Sequence, residues 1–262
     1  MKSLLLLLVS ALFIAQLDGC ASAPAGPRGP LLGPGLEVAT DYSYAYGFGS
    51  VVLPDGTRSS GGADNYWSAL TIFPRRLEGR LSPLKWFDIG GQLGWLDSGA
   101  DVRIGIPAAP DKAWAFNLAA GFDTGSKGLY EDTKTTRSRW FRLEAYPRLP
   151  HGDPHARLVL AAGVDFGVFL HQLDDPRPLT TFNDSPTPIA IEVVRPETRI
   201  ESSVGIFVYP GEVGSLLFTI NPYVTAASGA PQTNCHSCQP IASYSEDWGV
   251  VLVMRLALRL GF

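Results

Sequence analysis

The chain has 262 residues, a formal charge of −4, 45% hydrophobic and 18% charged residues. A mildly acidic balance argues against a nucleic-acid partner, which needs a basic face. Only one apolar run is long, and it lies at the start, so a helical membrane protein is not expected.

That first run reads as a secretory signal over residues 1–19. Lys2 supplies the positive charge and Leu4 to Ala15 the short apolar core, too short for a comfortable helical span. Leu17-Asp18-Gly19-Cys20 resembles the lipobox of bacterial lipoproteins. The resemblance implies that Cys20 is lipid-modified and becomes the mature N-terminus. Asp18 departs from the motif, and a cut after Ala25 is the alternative. Residues 20–35 are rich in Ala, Pro and Gly and read as a flexible tether. Residues 36–262 form the expected folded domain.

Beyond the tether no useful helical period occurs. Period-two alternation recurs between clusters of Gly, Pro, Asp and Ser, which is the signature of strands. Leu36, Val38, Tyr42, Tyr44, Tyr46 and Phe48 share one face, with Glu37, Ala39, Asp41 and Ser43 on the other. The stretch 66–81 contains Pro74, so a bulge or register change is expected there. Phe87, Ile89 and Leu93 then oppose Asp88, Gly90 and Gln92, and Val102 and Ile104 oppose Asp101 and Arg103. Trp114 to Phe122 alternates in the same way. In the mixed stretch 138–146, Arg142 and Glu144 are placed inward. Leu158 to Leu170 opposes Arg157, Gly163 and Asp165. Ile200, Val204 and Ile206 oppose Arg199, Glu201 and Gly205, and Leu216, Phe218 and Ile220 oppose Thr219 and Asn221. The last segment, Trp248 to Phe262, carries eight alternate apolar residues, with Arg255 and Arg259 on its second face.

The count is about ten strands. Short links near 82–83, 108–111 and 209–212 alternate with long ones near 54–65, 123–136, 172–188 and 227–243. Residues 147–154 form a longer member of the short class, and the link near 97–99 is shorter than this alternation requires. An even strand number with long links on one side is the pattern of outer-membrane barrels. The C-terminal strand, with Leu256, Leu258, Leu260 and Phe262 at alternate positions, resembles the assembly signal of bacterial outer-membrane β-barrel proteins. The resemblance implies a closed antiparallel transmembrane β-barrel of the Gram-negative outer membrane. It further implies periplasmic N- and C-termini and two partners, outer-membrane lipid and the barrel-assembly machinery. Trp86, Phe87, Trp95, Trp114, Tyr146, Tyr209 and Phe262 are expected at the membrane interfaces, where aromatic girdles sit.

The expected lumen set is Glu37, Asp41, Asp88, Asp101, Arg103, Arg142, Glu144, Arg157, Asp165, Arg199, Glu201, Arg255 and Arg259. A ten-stranded barrel is narrow, and charges inside it need partners. The expectation is a salt-bridged interior, structural or weakly conducting to small solutes in a porin-like way.

No motif points to a cofactor, a metal site or a catalytic group. Cys235-His236-Ser237-Cys238 reads as a loop disulfide between Cys235 and Cys238 in an exported protein. His171, Asp174 and Asp175 fall near an expected outer rim, and His151 and His155 flank a Gly-Asp-Pro turn; neither spacing defines chemistry. A non-enzymatic barrel is therefore expected. A barrel enzyme acting on lipid or peptide at the cell surface is the first alternative, and a lipid-anchored periplasmic β-fold that binds a ligand is the second.

Overall fold

The computed structural model describes residues 26–52, 56, 58–60, 66–67, 76–94, 97–127, 134–149, 153, 155–174, 190–209, 213–230, 232–233 and 243–261. Thirteen strands follow in chain order: β1 Gly35–Val52, β2 Arg58–Ser60, β3 Tyr66–Trp67, β4 Arg76–Leu84, β5 Phe87–Gly94, β6 Asp97–Ile106, β7 Trp114–Lys127, β8 Lys134–Pro147, β9 Ala156–Asp174, β10 Ala190–Val208, β11 Gly214–Ser228, β12 Gln232–Thr233 and β13 Ser243–Gly261. The short β2 and β3 pair with β1, and β12 pairs with β10. The other ten make the wall.

Each wall strand pairs antiparallel with its neighbour in sequence, from β1 and β4 round to β11 and β13. The circuit closes where β1 meets β13, with Gly35 opposite Gly261 and Phe48 opposite Trp248. The barrel therefore has no free edge. The ten-stranded antiparallel expectation holds. Residues 128–133 alone separate β7 from β8, because both strands run further than the alternation of their apolar residues shows. Pro74 lies outside the described residues, and β4 is described from Arg76.

The wall is uneven in height. β9 and β10 pair over 19 residues each, whereas β4, β5 and β6 have 8 to 10. A tilted strand crosses a bilayer in about 9–11 residues, so β9 and β10 extend past that length at the end bearing the long connections.

Alternation turns the usual core inside out. Outward residues are apolar and exposed, including Leu93, Leu118, Leu143, Ile206, Phe218 and Leu258, the last at 68%. On β8 this apolar face gives way to the exposed Arg137 and Arg139 towards the long-loop end. Inward residues are small, polar or charged and mostly buried. Two inward glycines make room for large neighbours: a Cβ on Gly90 would strike the Arg80 guanidinium, and one on Gly121 the Trp140 ring.

Of the aromatic residues expected in an interface girdle, Trp86 and Trp114 are exposed outside the wall. Tyr146 and Tyr209 are not part of it. Both point inward, because Tyr146 shares the face of Glu144 and Tyr209 that of Phe207. With Ala115, Val159, Phe207 and Leu217 they form an apolar cluster inside the barrel. Its members lie at the end where β1 begins and β13 finishes.

Placing a charge on the outer belt should be costly. Leu143→Arg is expected to destabilise the barrel by about 2–4 kcal/mol if the residue sits at mid-membrane depth. Urea unfolding in lipid vesicles, with Leu143→Ala as the smaller-effect control, measures the difference.

Candidate functional site: a charge-filled and plugged lumen

The thirteen charges expected inside are all inward. Strand alternation places them on one face, and closure of the barrel brings them together. Arg80 sits at the centre of one group. It pairs with Glu78, Asp101 and Asp88, the last at 3.0 Å. Asp88 also takes the Nε of Arg103 at 3.0 Å. Arg255 bridges Glu37 at 2.6 Å and Glu78 at 3.1 Å, tying β13 to β1 and β4 across the seam of closure.

A second group lines β7 to β10. Arg142 pairs with Glu201 at 2.8 Å and lies over the Trp140 ring. Glu144 accepts from Tyr146 Oη at 2.7 Å and from Asn117 at 3.1 Å. Arg199 pairs with Glu197 at 2.9 Å and stacks on the Phe169 and Tyr223 rings. Asp165 is buried beside Arg199 in the register of β9 and β10. Arg157 serves another purpose. Its guanidinium donates to the carbonyls of Tyr146, Ala109 and Lys112, which holds the 107–113 connection against the barrel end.

Every buried cation among the described residues is arginine. A planar guanidinium offers five donors in a fixed fork, and so can satisfy several carboxylates at once where water is scarce.

Several interior residues were not singled out from the sequence. Glu78 and Arg80 continue a clean alternation from Arg76 with Leu77 and Leu81, which the nearby Pro74 obscures. Arg195 and Glu197 precede Arg199 at the same two-residue step, and Asp123 follows Gly121 on β7. Each lies on a two-residue alternation that continues a few residues beyond the clearest apolar stretch of its strand.

Residues 26–34 were expected as part of a flexible tether over 20–35, and here the structure corrects the reading. They lie inside the barrel. Gly26 to Leu31 are buried, and Arg28 reaches Asp41 at 3.4 Å and Glu78 at 3.5 Å and donates to Gln92. The Gly29 carbonyl accepts from Asn117 at 3.1 Å and from Arg103. Arg259 holds the carbonyls of Gly33 and Pro34 at 2.7 Å each. Leu32 packs against the apolar cluster. Gly29 has φ of 94° and lies against the Phe207 ring, a conformation and a space that favour glycine. Proline and glycine thus serve a tight threaded path, not flexibility, and their composition alone does not distinguish the two.

Cys20, Cys235, Cys238, His236, Asp175 and Phe262 lie outside the described residues, as does the His171 side chain. Leu256, Leu258 and Leu260 face outward on β13 and are exposed. Among the described residues no group of His, Cys, Asp and Glu could hold a metal ion.

No family model and no curated protein matches the chain. Among solved structures, the outer membrane protease OmpT from Escherichia coli aligns at 10% identity and a TM-score of 0.43, over 94% of this chain and 100% of that one. The beta domain of the Bordetella autotransporter BrkA aligns at 12% identity and a TM-score of 0.23, over 85% and 98%.

Arg80→Leu should leave Asp101 short of a cation in the buried interior, whereas Asp88 keeps Arg103. The expected loss of stability is about 3–5 kcal/mol, and Asp101→Asn in the same chain should recover part of it. Thermal loss of the folded, unboiled gel band reads both effects, with the exposed Arg148→Ala as a control expected to shift little.

Proposed function

We propose that the protein is a bacterial outer-membrane β-barrel with a non-enzymatic role. It contributes a stable wall and displays its long connections outside the cell, and its lumen, filled by paired charges and by residues 26–34, conducts little. The observation that carries this reading is the inversion of polarity: apolar residues cover the outside of a closed barrel, while paired charges fill the inside. In water that outer belt would be a very large exposed apolar surface, far beyond the few hundred Å² usual for a soluble monomer. In lipid it is the expected surface, and closure leaves no unpaired strand edge.

With the ends of β1 and β13 in the periplasm, the long connections face outward. The alternating Leu256, Leu258 and Leu260 of β13 then present the apolar edge expected of a strand handled by the barrel-assembly machinery. An acyl group on Cys20 would add a second attachment to the membrane. Mass spectrometry of the mature amino terminus tests it directly.

Purified outer membranes should yield a band that migrates faster unboiled than boiled. In planar bilayers the intact protein should show rare, small conductance steps. Release of the protein by washing without detergent, with no heat shift, would favour a lipid-anchored periplasmic protein instead. Leu258→Asp is expected to lower the amount of heat-shifted band several-fold.

A further inference from the structure

The wall of the barrel is complete without residues 26–34. The ten strands pair around the whole circuit, and this segment supplies no rung. Among the described residues, one backbone bond joins it to the rest of the chain, from Ala108 N–H to the Leu31 carbonyl. Its remaining anchors are side chains. Pro27, Pro30 and Pro34 have no N–H to contribute to a ladder. The segment is therefore held as a bound peptide is held, inside a wall that does not need it for closure.

Its seat is specific. The Arg28 guanidinium is 3% exposed and meets Asp41, Glu78 and Gln92. Glu78 has Arg80 and Arg255 besides. Asp41 has Arg28 as its one partner among the described residues, and its Oδ1 makes no hydrogen bond there. Among those residues nine buried carboxylates face eight buried wall arginines, and Arg28 is the ninth cation. Withdrawing the segment would take from Asp41 its hydrogen-bonded cation, although Arg76 and Arg255 stand opposite it on the flanking strands, and would leave the buried carboxylates one in excess of the buried arginines among the described residues, an arrangement that favours a replacement cation.

We propose that residues 26–34 are a removable plug seated in a guanidinium-binding site. Once emptied, the lumen is a cation-selective path that a guanidinium-bearing ligand closes again. The proposal rests on the membrane-barrel reading above.

The geometry supplies a lock. A Cβ built on Gly26 lies 3.3 Å from Val253 Cγ2, near the roughly 3 Å that disulfide geometry sets between one cysteine's Cβ and the other's Sγ, so a Gly26→Cys/Val253→Cys pair can be tried as the bridge. The full-length chain carrying this pair, with Cys235→Ser and Cys238→Ser to prevent mispairing, is reconstituted in planar bilayers. Oxidised, it should stay closed; reduced, it should open. Adding Arg28→Ala should raise the open fraction of the reduced form about tenfold or more, since charge-assisted hydrogen bonds are lost. Reversal potentials in a salt gradient should show cation selectivity, and millimolar guanidinium chloride should reduce the current more than equal potassium chloride does.

Equal currents in the oxidised and reduced forms overturn the plug, as does an Arg28→Ala chain that opens no more than its parent. Anion selectivity, or no effect specific to guanidinium, overturns the site. Should Arg28→Ala fail to assemble, the oxidised-against-reduced comparison decides alone. Heat shift of the parent band is read in parallel: its absence rejects the membrane barrel itself, whereas its presence with an unaltered current rejects only the plug.

Discussion

Hydrogen bonding within the backbone is the constraint on which this structure depends. In the membrane setting proposed above, an open strand edge would find no water to satisfy its N–H and C=O groups, and each unsatisfied group would cost several kcal/mol. Pairing β1 with β13 removes the edge. Closure then divides every strand between an outside and an inside, and the two-residue step of the strand assigns each side chain to one or the other. The exposed leucines and the buried arginines follow from the same rule.

A narrow closed interior creates a second requirement. Carboxylates and guanidinium groups placed there by alternation lose water and must find one another. Arg80 between Asp88, Asp101 and Glu78, and Arg255 between Glu37 and Glu78, meet this need across strands far apart in sequence. Such pairs are not a large net source of stability, but breaking one is expensive. The network therefore favours a single register, since a one-residue slip would turn the charges out towards the apolar belt.

The threaded segment 26–34 belongs to the same electrostatic system. Arg28 gives Asp41 its partner, and the polar wall residues Arg103, Asn117 and Arg259 accept responsibility for the carbonyls of a chain that has no ladder of its own. At the adjoining barrel end lies the apolar cluster around Tyr146 and Phe207. Charge pairing along the lumen and apolar packing at its end together leave the interior filled.

Local alternation in the sequence is enough to specify the strand type, the approximate number of wall strands, the outward faces and most of the inward charges. These depend only on local alternation, which is visible in Leu256-Ala257-Leu258-Arg259 as it is in Asp101-Val102-Arg103-Ile104. The sequence also contained Arg76-Leu77-Glu78-Gly79-Arg80, although Pro74 hides where that strand begins. Tertiary structure decided which carboxylate meets which arginine, because those partners lie as far apart as Glu37 and Arg255. It also decided where Tyr146 and Tyr209 turn, and that residues 26–34 enter the barrel. Alternation cannot register a segment outside the sheet, and a Pro- and Gly-rich composition describes a loose linker and a threaded peptide equally well. Only the closed wall, with Asp41 facing inward, gives Arg28 a place to go.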